Sequence, residues 1–467
     1  METAALRITG DFVEDAVKGH LVAGDRSRAF DSVSIDTRTL RPGALFVAIR
    51  GDRFDGAAFV DAAVAAGASG VLVPAGHGPR QPGEAVVIEV DDAVLALQAL
   101  AHTVRRASGA TVVAITGSAG KTTTKEVTAE FLGARYRVMR NRGNLNNHIG
   151  LPLSLIELSA RPDVAVVELG MNHVGEISRL VGIAEPDIRV WTNVGEAHLG
   201  FFASIDAIAD AKAEIFEGAG PRTVLVANAD DDRIVARVPR FAGRVVTFGA
   251  SPAADVRATS IEDRGVDGVA AHVTTPRGSV DLSTSLLGSG NLSNVLAATA
   301  VAVELDVPLD ALPARAATLR APSHRGEVVR LRDGITVIDD SYNANPTAAK
   351  RALGVLARTK AACKIAILGE MLELGDRAAA LHEEVGRAAA AAGADRLLTV
   401  GGAPARAMAD AAVVAGLPPS RVEHFATSAD AAERASVLVG AGDLVLVKGS
   451  RGVRTDVVVD RLKAERA

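Results

Sequence analysis

From residue 110 onward the chain sets short apolar runs at wide intervals. Thr111 to Ile115, Val164 to Leu169, Arg189 to Val194 and Thr223 to Ala227 read as buried strands, with helical stretches between them. Strands alternating with helices predict βαβ units and a parallel sheet. The more polar segment Ser251 to Val280 carries turn residues and short alternating runs, the pattern of peripheral strands. Asn291 to Leu305 reads as a helix, Ala-rich throughout and apolar on one side. A second α/β series follows Ala321-Pro322-Ser323, with strands expected at Ile335 to Ile338, Lys364 to Leu368, Arg396 to Val400 and Leu444 to Val447. Before residue 108, the strand-like Gly43 to Ile49 and a helix-like Ala57 to Ala66 that ends at Gly67 predict a compact α/β unit. Boundaries near residues 108 and 320 therefore give three α/β domains, 1–107, 108–320 and 321–467. The length of 467 residues agrees, since it exceeds what one hydrophobic core organises.

Composition narrows the class. A hydrophobic fraction of 48% with only 3% aromatic residues suits parallel strands buried on both faces and argues against base-stacking surfaces. The net charge of −5, with acids and bases interspersed, leaves no basic stripe, so no nucleic-acid partner is expected. The single Cys363 excludes an internal disulfide and a cysteine-based zinc site, and reads as a small core residue. No charged-then-apolar leader opens the sequence, and no apolar run approaches the roughly 18 residues that a membrane span needs. A cytoplasmic protein with no membrane span is the expectation.

One run changes this picture from scaffold to chemistry. Ile115-Thr116-Gly117-Ser118-Ala119-Gly120-Lys121-Thr122-Thr123 follows an apolar strand and opens a helix. Small residues let the backbone turn tightly with its N–H groups inward, and the helix brings its positive dipole end to the same place. Such a cradle takes phosphates; Lys121 reaches the outer ones and the Thr122 hydroxyl reaches Mg²⁺. The pattern is G-x-x-G-K-T, shifted from the common Walker spacing, which weakens a GTPase or small-molecule kinase reading. A hard cation needs further ligands from strand ends facing the loop. Glu168 closes Val164 to Val167, and His198 follows in Asn193-Val194-Gly195-Glu196-Ala197-His198.

Together these runs resemble the Mur ligases, the ATP-dependent amide-forming enzymes of peptidoglycan precursor synthesis. The likeness spans essentially the whole chain. Its central signatures, in order, are Thr116 to Thr123, Asn144-Leu145-Asn146-Asn147-His148-Ile149-Gly150-Leu151-Pro152-Leu153, Glu168-Leu169-Gly170-Met171-Asn172-His173 and Asn193 to His198. The resemblance implies an N-terminal UDP-binding domain, a central P-loop ATPase domain with a mainly parallel sheet, and a C-terminal Rossmann-like domain. Within the family, Asp339-Asp340-Ser341-Tyr342-Asn343-Ala344-Asn345-Pro346 and Met371-Leu372-Glu373-Leu374-Gly375 resemble the member that adds D-alanyl-D-alanine to UDP-N-acetylmuramoyl-tripeptide. No Asn-Pro-Arg selectivity run of the kind typical of the ligase adding the third amino acid is present.

The resemblance also assigns roles. Gly117, Ser118, Ala119, Gly120, Lys121, Thr122 and Thr123 would hold the phosphates of ATP. Thr122 and Glu168 would hold one Mg²⁺ and His198 a second, and Lys212, in Ala211-Lys212-Ala213-Glu214, would be carbamylated by CO₂ to support that second metal. Asn294, Arg325 and Asp340 match nucleotide-holding positions. Ser34, Asp36, Thr37 and Arg38, with Phe46 to Gly56, resemble the segment receiving the UDP end; Asn146, Asn147, Tyr342, Asn343, Lys448, Ser450 and Arg451 fall to the substrates. Lys121, Glu168, His198 and Lys212 form the catalytic set, in a monomer. Two departures stand out: Ala57 takes the place of a usual histidine after Asp55-Gly56, and Gly200-Phe201-Phe202 replaces an acidic-Gly-Phe run. Two alternatives stay open here, a folylpolyglutamate synthetase and a non-catalytic ATP-binding protein on the same fold. Whether the third residue of the peptide is diaminopimelate or lysine also stays open.

Overall fold

A computed structural model describes residues 5–51, 54–141, 143–197 and 199–466. The chain divides into two compact units, residues 1–114 with 136–189, and residues 115–135 with 190–467. The strands Thr111–Thr116 and Ile188–Trp191 run across the division.

In the first unit, five strands lie in the order His20–Ala23, Val86–Val90, Gly70–Pro74, Ala44–Val47 and Ser32–Ser34. All neighbours are parallel except the first pair. Phe46, Ala48, Val71, Val73 and Val87 pack with Val60 and Ala63 of the helix Val60–Ala65. The stretch expected as one helix from Ala57 is instead a 3₁₀ turn, Gly56–Phe59, followed by that short helix. Asp55 accepts a hydrogen bond from Ala57 N–H, and this cap fixes the tight first turn. Further along, Val164–Glu168 pairs in parallel with Val138–Arg140, a strand too short and polar to stand out in the sequence.

Arg105 fastens this unit. It is buried on the helix Ala93–Ser108 and donates to the carbonyls of Ala184, Ala110 and Glu185 and to the Asp187 carboxylate. The carbonyls of Ala184 and Glu185 end the helix Glu176–Ala184, which lacks a glycine cap.

In the second unit, Val224–Asn228, Arg244–Gly249 and Val256–Asp263 are parallel neighbours, continued by the antiparallel Val269–Thr275 and Gly278–Thr284. Those last strands bury alternate residues, as the polar segment's alternation predicts. The expected helix runs Gly288–Glu304. Downstream, the order is Glu327–Arg330, Thr336–Asp340, Leu444–Lys448, Lys364–Gly369, Arg396–Val400, Val422–Phe425, parallel except for the first edge strand. This is an open α/β sheet, whose ligands belong beyond the carboxyl ends of its strands. Val337, Ile365, Ile367, Val445 and Val447 form its core with Val458, Val459 and Leu462 of the closing helix Asp456–Arg466. Both units are mixed α/β with mainly parallel sheets.

Replacing Arg105 by Leu strands three carbonyls and a carboxylate, at a cost of about 2–4 kcal/mol. Faster amide exchange in peptides covering residues 176–187 of the full-length variant is the expected result, and parent-like exchange there would contradict the fastening role.

Candidate active site

The phosphate loop belongs to the second unit and is held by the strand-end run beside it. Gly117 (φ 156°) and Gly120 (φ 81°) leave no room for side chains: a Cβ on Gly117 would collide with Thr192 Oγ1, and one on Gly120 with Asn294 Oδ1. Ser118 N–H donates to the Asn193 carbonyl at 3.1 Å. Ala119 is gripped on both sides, its N–H donating to Asn193 Oδ1 and its carbonyl accepting from Asn193 Nδ2, each at 2.9 Å. Thr192 Oγ1 donates to the carbonyls of Thr116 and Ala119, and the Ser118 hydroxyl exchanges hydrogen bonds with Gly195.

The helix Lys121–Leu132 then begins with Gly120 at its N-cap and no side-chain cap. A helix start with no capping side chain suits an anion. Lys121 Nζ lies over the loop, 2.8 Å from the Gly117 carbonyl. Thr122 and Thr123 are buried in the first turn. Asn294 accepts from Thr124 Oγ1 and donates to Asn291, so it supports the loop from the helix Gly288–Glu304. The cradle fits phosphate: small residues where a Cβ would intrude, a cation at its mouth and an uncapped helix start.

Lys212 lies in the same unit on the helix Ile205–Ala213, whose start Ser204 caps. Ala209 and Ala213 of that helix pack on Trp191, Leu225 and Phe241, and Trp191 meets Phe216 edge-on. The Lys212 side chain is buried, and burial pushes its amine well below the usual lysine range, with the Lys121 cation adding to the shift. The structure thus brings Lys121 and Lys212 into electrostatic contact, and their sequence separation gave no sign of it.

A third group stands at the carboxyl ends of the downstream sheet. Lys448 Nζ donates to Asp340 Oδ2 at 2.6 Å and to the Asn343 carbonyl at 3.0 Å. Burial pushes the Asp340 carboxyl up while Lys448 and Arg325 pull it back. The Arg325 guanidinium lies 3.8 Å from the centroid of the Tyr342 ring and that of Arg451 5.1 Å, so one ring carries two cations. The Ser450 hydroxyl accepts from Leu372 N–H at 2.9 Å.

Two contacts link the phosphate-loop side to this group. Thr347 Oγ1 donates to Glu196 Oε2 at 2.9 Å, and Gly200 N–H donates to the Glu373 carbonyl at 2.7 Å. His198, between them, lies outside the described residues, as do Asp52 and Arg53 of the Phe46 to Gly56 run.

In the first unit, Glu168 ends its strand as expected and is buried. Its Oε2 accepts from Asn146 Nδ2 at 3.2 Å, and its N–H donates to Asn141 Oδ1. Asn147 caps the helix Gly150–Ile156, accepting from the N–H groups of Ile149 and Gly150. In the same unit, the Asp36 carboxyl is drawn down to about 2 by hydrogen bonds from the Arg38 side chain and backbone. Ser34 Oγ donates to the Asp36 carbonyl and Thr37 is half-buried, so the run forms one polar turn.

Sequence reasoning quoted Asn193 and Glu196 inside a run without giving either a role. Thr192, Thr347 and Asn141 were missed, because each acts through backbone or second-partner contacts that leave no pattern in spacing. Among the described residues no three His, Cys, Asp or Glu side chains cluster as a cage.

Three segments match family descriptions: residues 29–105 the Mur ligase family catalytic domain, residues 115–302 the Mur ligase middle domain, and residues 324–451 the Mur ligase glutamate ligase domain. The UDP-N-acetylmuramoyl-tripeptide–D-alanyl-D-alanine ligase of Escherichia coli strain K12 is 37% identical over 462 residues, covering 98% of this chain and 99% of the relative. The chain belongs to the Mur ligase family. The crystal structure of MurF from Acinetobacter baumannii matches this Mur ligase with a TM-score of 0.88 at 30% identity, covering 99% of this chain and 100% of that one. The MurF ligase of Thermotoga maritima, solved in complex with ADP, matches with a TM-score of 0.80 at 29% identity, over 93% and 97% of the two chains. This Mur ligase is therefore an enzyme, and its α/β architecture is the family's. Among the described residues no helix is long and apolar enough to cross a membrane.

Gly120→Ala should remove nucleotide binding by about tenfold or more while leaving the circular dichroism spectrum unchanged, because the new methyl meets Asn294 and cannot adopt the αL backbone cheaply. Calorimetric titration with Mg-ADP checks this, and parent-like affinity would show that the loop does not receive the phosphates.

Proposed function

We propose that this enzyme joins D-alanyl-D-alanine to UDP-N-acetylmuramoyl-tripeptide at the expense of ATP. The observation that carries the proposal is the union, in one unit, of a phosphate loop walled by Gly117 and Gly120 with the Asp340 to Asn345 and Met371 to Gly375 runs. The Escherichia coli relative, of nearly equal length, bears the name of that reaction. The same two runs disfavour a folylpolyglutamate synthetase. The buried Lys212 beside Lys121 disfavours a mere nucleotide-binding protein, which has no use for a costly neutral lysine.

In the reaction the tripeptide carboxylate takes the γ-phosphoryl group, and the resulting acyl phosphate is attacked by the dipeptide amine. The new C–N bond forms as the C–O bond to phosphate breaks, and the amine loses its proton. Lys121 and the loop amides hold the β and γ phosphates against the charge that develops on transfer. Thr122, Glu168 and His198 are the residues proposed to hold two Mg²⁺ ions, which would supply positive charge to the migrating group when bound. Asn294, Arg325 and Asp340 are assigned to the nucleotide, Ser34 to Arg38 to the UDP end, and Asn146, Asn147, Tyr342, Asn343, Lys448, Ser450 and Arg451 to the two substrates. Three domains, 1–107, 108–320 and 321–467, in a cytoplasmic monomer complete the reading. The helix Ala93–Ser108 ending at an αL glycine supports the first boundary.

Lys212 is proposed as the carbamylated lysine. Only the neutral amine reacts with CO₂, and burial together with Lys121 favours that form. The sign follows from the lowered value: the neutral amine is present above the folded-state pKa and lost as pH falls through it, so carbamylation and activity decline on the acid side.

Phosphate release should require ATP, UDP-muramoyl-tripeptide and D-alanyl-D-alanine together; release driven by a folate, or none, overturns the assignment. Lys121→Ala is expected to cut turnover about 10²–10³-fold, and near-normal ligation by that variant would refute its role. ¹³C-bicarbonate should give a carbamate resonance in the parent that Lys212→Ala lacks, and added bicarbonate should not revive that variant. Full activity in Lys212→Ala, or an unchanged spectrum, would sink the carbamylation.

A further inference from the structure

The strand Lys364–Gly369 leaves its sheet at Glu370, and the next residues carry no regular structure before the turn at Gly375–Arg377. A segment leaving a sheet must find new partners for its backbone groups. Glu370 N–H still reaches the Val400 carbonyl at 2.8 Å, and Glu370 Oε2 accepts from Gly402 N–H at 2.6 Å. Beyond it two side chains take over. Met371 N–H donates to His382 Nε2 at 2.8 Å, and Leu372 N–H to Ser450 Oγ at 2.9 Å. Glu373 is held in the left-handed region at φ 64°, with its carbonyl accepting from Gly200.

His382 is an unusual anchor. It is fully buried on the helix Ala378–Ala391, and its Nδ1 stands 2.7 Å from the Ala378 carbonyl of its own helix. A carbonyl can only accept, so Nδ1 carries the proton and Nε2 presents a lone pair to Met371 N–H. Both ring nitrogens are thereby satisfied by the neutral tautomer alone. Burial also holds the imidazole below its ordinary range. A histidine serving only as core filling would have no need to aim an acceptor at a departing loop. Leu372 and Glu373 are exposed while Met371 and Leu374 are buried, so the anchored backbone turns two side chains outward at the carboxyl edge of the sheet.

We propose that His382 is a positioning residue for the acceptor dipeptide, acting through the Met371 amide to fix the Met371 to Gly375 run. This rests on the ligase reading given above. The anchored run shares Ser450 with the Asn343 to Ala344 turn, and its Glu373 carbonyl accepts from Gly200 N–H. Leu372 and Glu373 keep these partners when His382 is changed, so loss of the Met371 anchor is local and falls on acceptor binding before ATP.

The test uses full-length His382→Asn and His382→Gln. The Asn side chain is too short to reach Met371 N–H, while the Gln amide oxygen occupies the place of Nε2. His382→Asn is expected to raise KM for D-alanyl-D-alanine about tenfold, the cost of stranding one buried donor, with KM for ATP and kcat within about twofold. His382→Gln should restore KM for the dipeptide to near the parent value. Hydrogen exchange followed by mass spectrometry should show faster exchange in the peptide covering 371–375 of the Asn variant and none in the strand 364–369. Unchanged dipeptide KM in the Asn variant, a parallel rise for all three substrates, or a Gln variant as impaired as the Asn one would overturn the proposal. A parent enzyme inactive with the dipeptide would instead overturn the ligase reading, leaving the exchange result to judge the anchor by itself.

Discussion

Asn193 closes a small ring of hydrogen bonds around Ala119, accepting from its N–H, donating to its carbonyl, and offering its own carbonyl to Ser118. With both polar groups of Ala119 engaged, the loop cannot relax outward, and the glycines at 117 and 120 are pressed against Thr192 and Asn294. The strength of the cradle lies in this tie between two neighbouring strand ends. Phosphate recognition by backbone amides needs such rigidity, because amides that must reorganise on binding lose much of their electrostatic advantage.

The same rigidity decides the state of Lys212. A lysine on a helix surface would keep its charge, but Ala209 and Ala213 draw this helix onto Trp191 and Leu225, and the lysine goes down with it. Lys121, fixed over the loop, then places a second positive charge near a buried amine. Burial and the neighbouring cation both weaken the hold of the Lys212 amine on its proton. Packing of apolar side chains thus lowers the proton affinity of the lysine that their helix carries down with it.

The architecture was legible where burial writes a simple pattern. The apolar runs at 111, 164, 223, 335, 364, 396 and 444 emerged as strands within a residue or two of their expected bounds, while the one expected over Arg189 to Val194 ends at Trp191. Strands Val138–Arg140 and Val422–Phe425 did not, since a half-buried strand near a sheet edge carries too few apolar positions to show its period. The loop glycines and Glu168 could be read because backbone sterics and strand-end placement leave a trace in residue type. His382 could not: a buried histidine on an Ala-rich helix looks like packing until the lone pair is seen to meet Met371. Asn147 had both a substrate assignment and the geometry of a helix cap, and only the cap is visible in the hydrogen bonds.

The Gly200–Glu373 hydrogen bond joins the loop after the Asn193 to Ala197 run to the Met371 to Gly375 run. Gly200 and Gly375 also approach so closely that a Cβ on Gly375 would lie 3.0 Å from Gly200 Cα. The two loops therefore share a seam with no slack. An insertion or a bulkier residue on one side demands a matching retreat on the other, so the replacement of the usual acidic residue by Gly200 is a change to be understood together with Glu373 and Gly375. Mechanically the seam makes the two loops a single part.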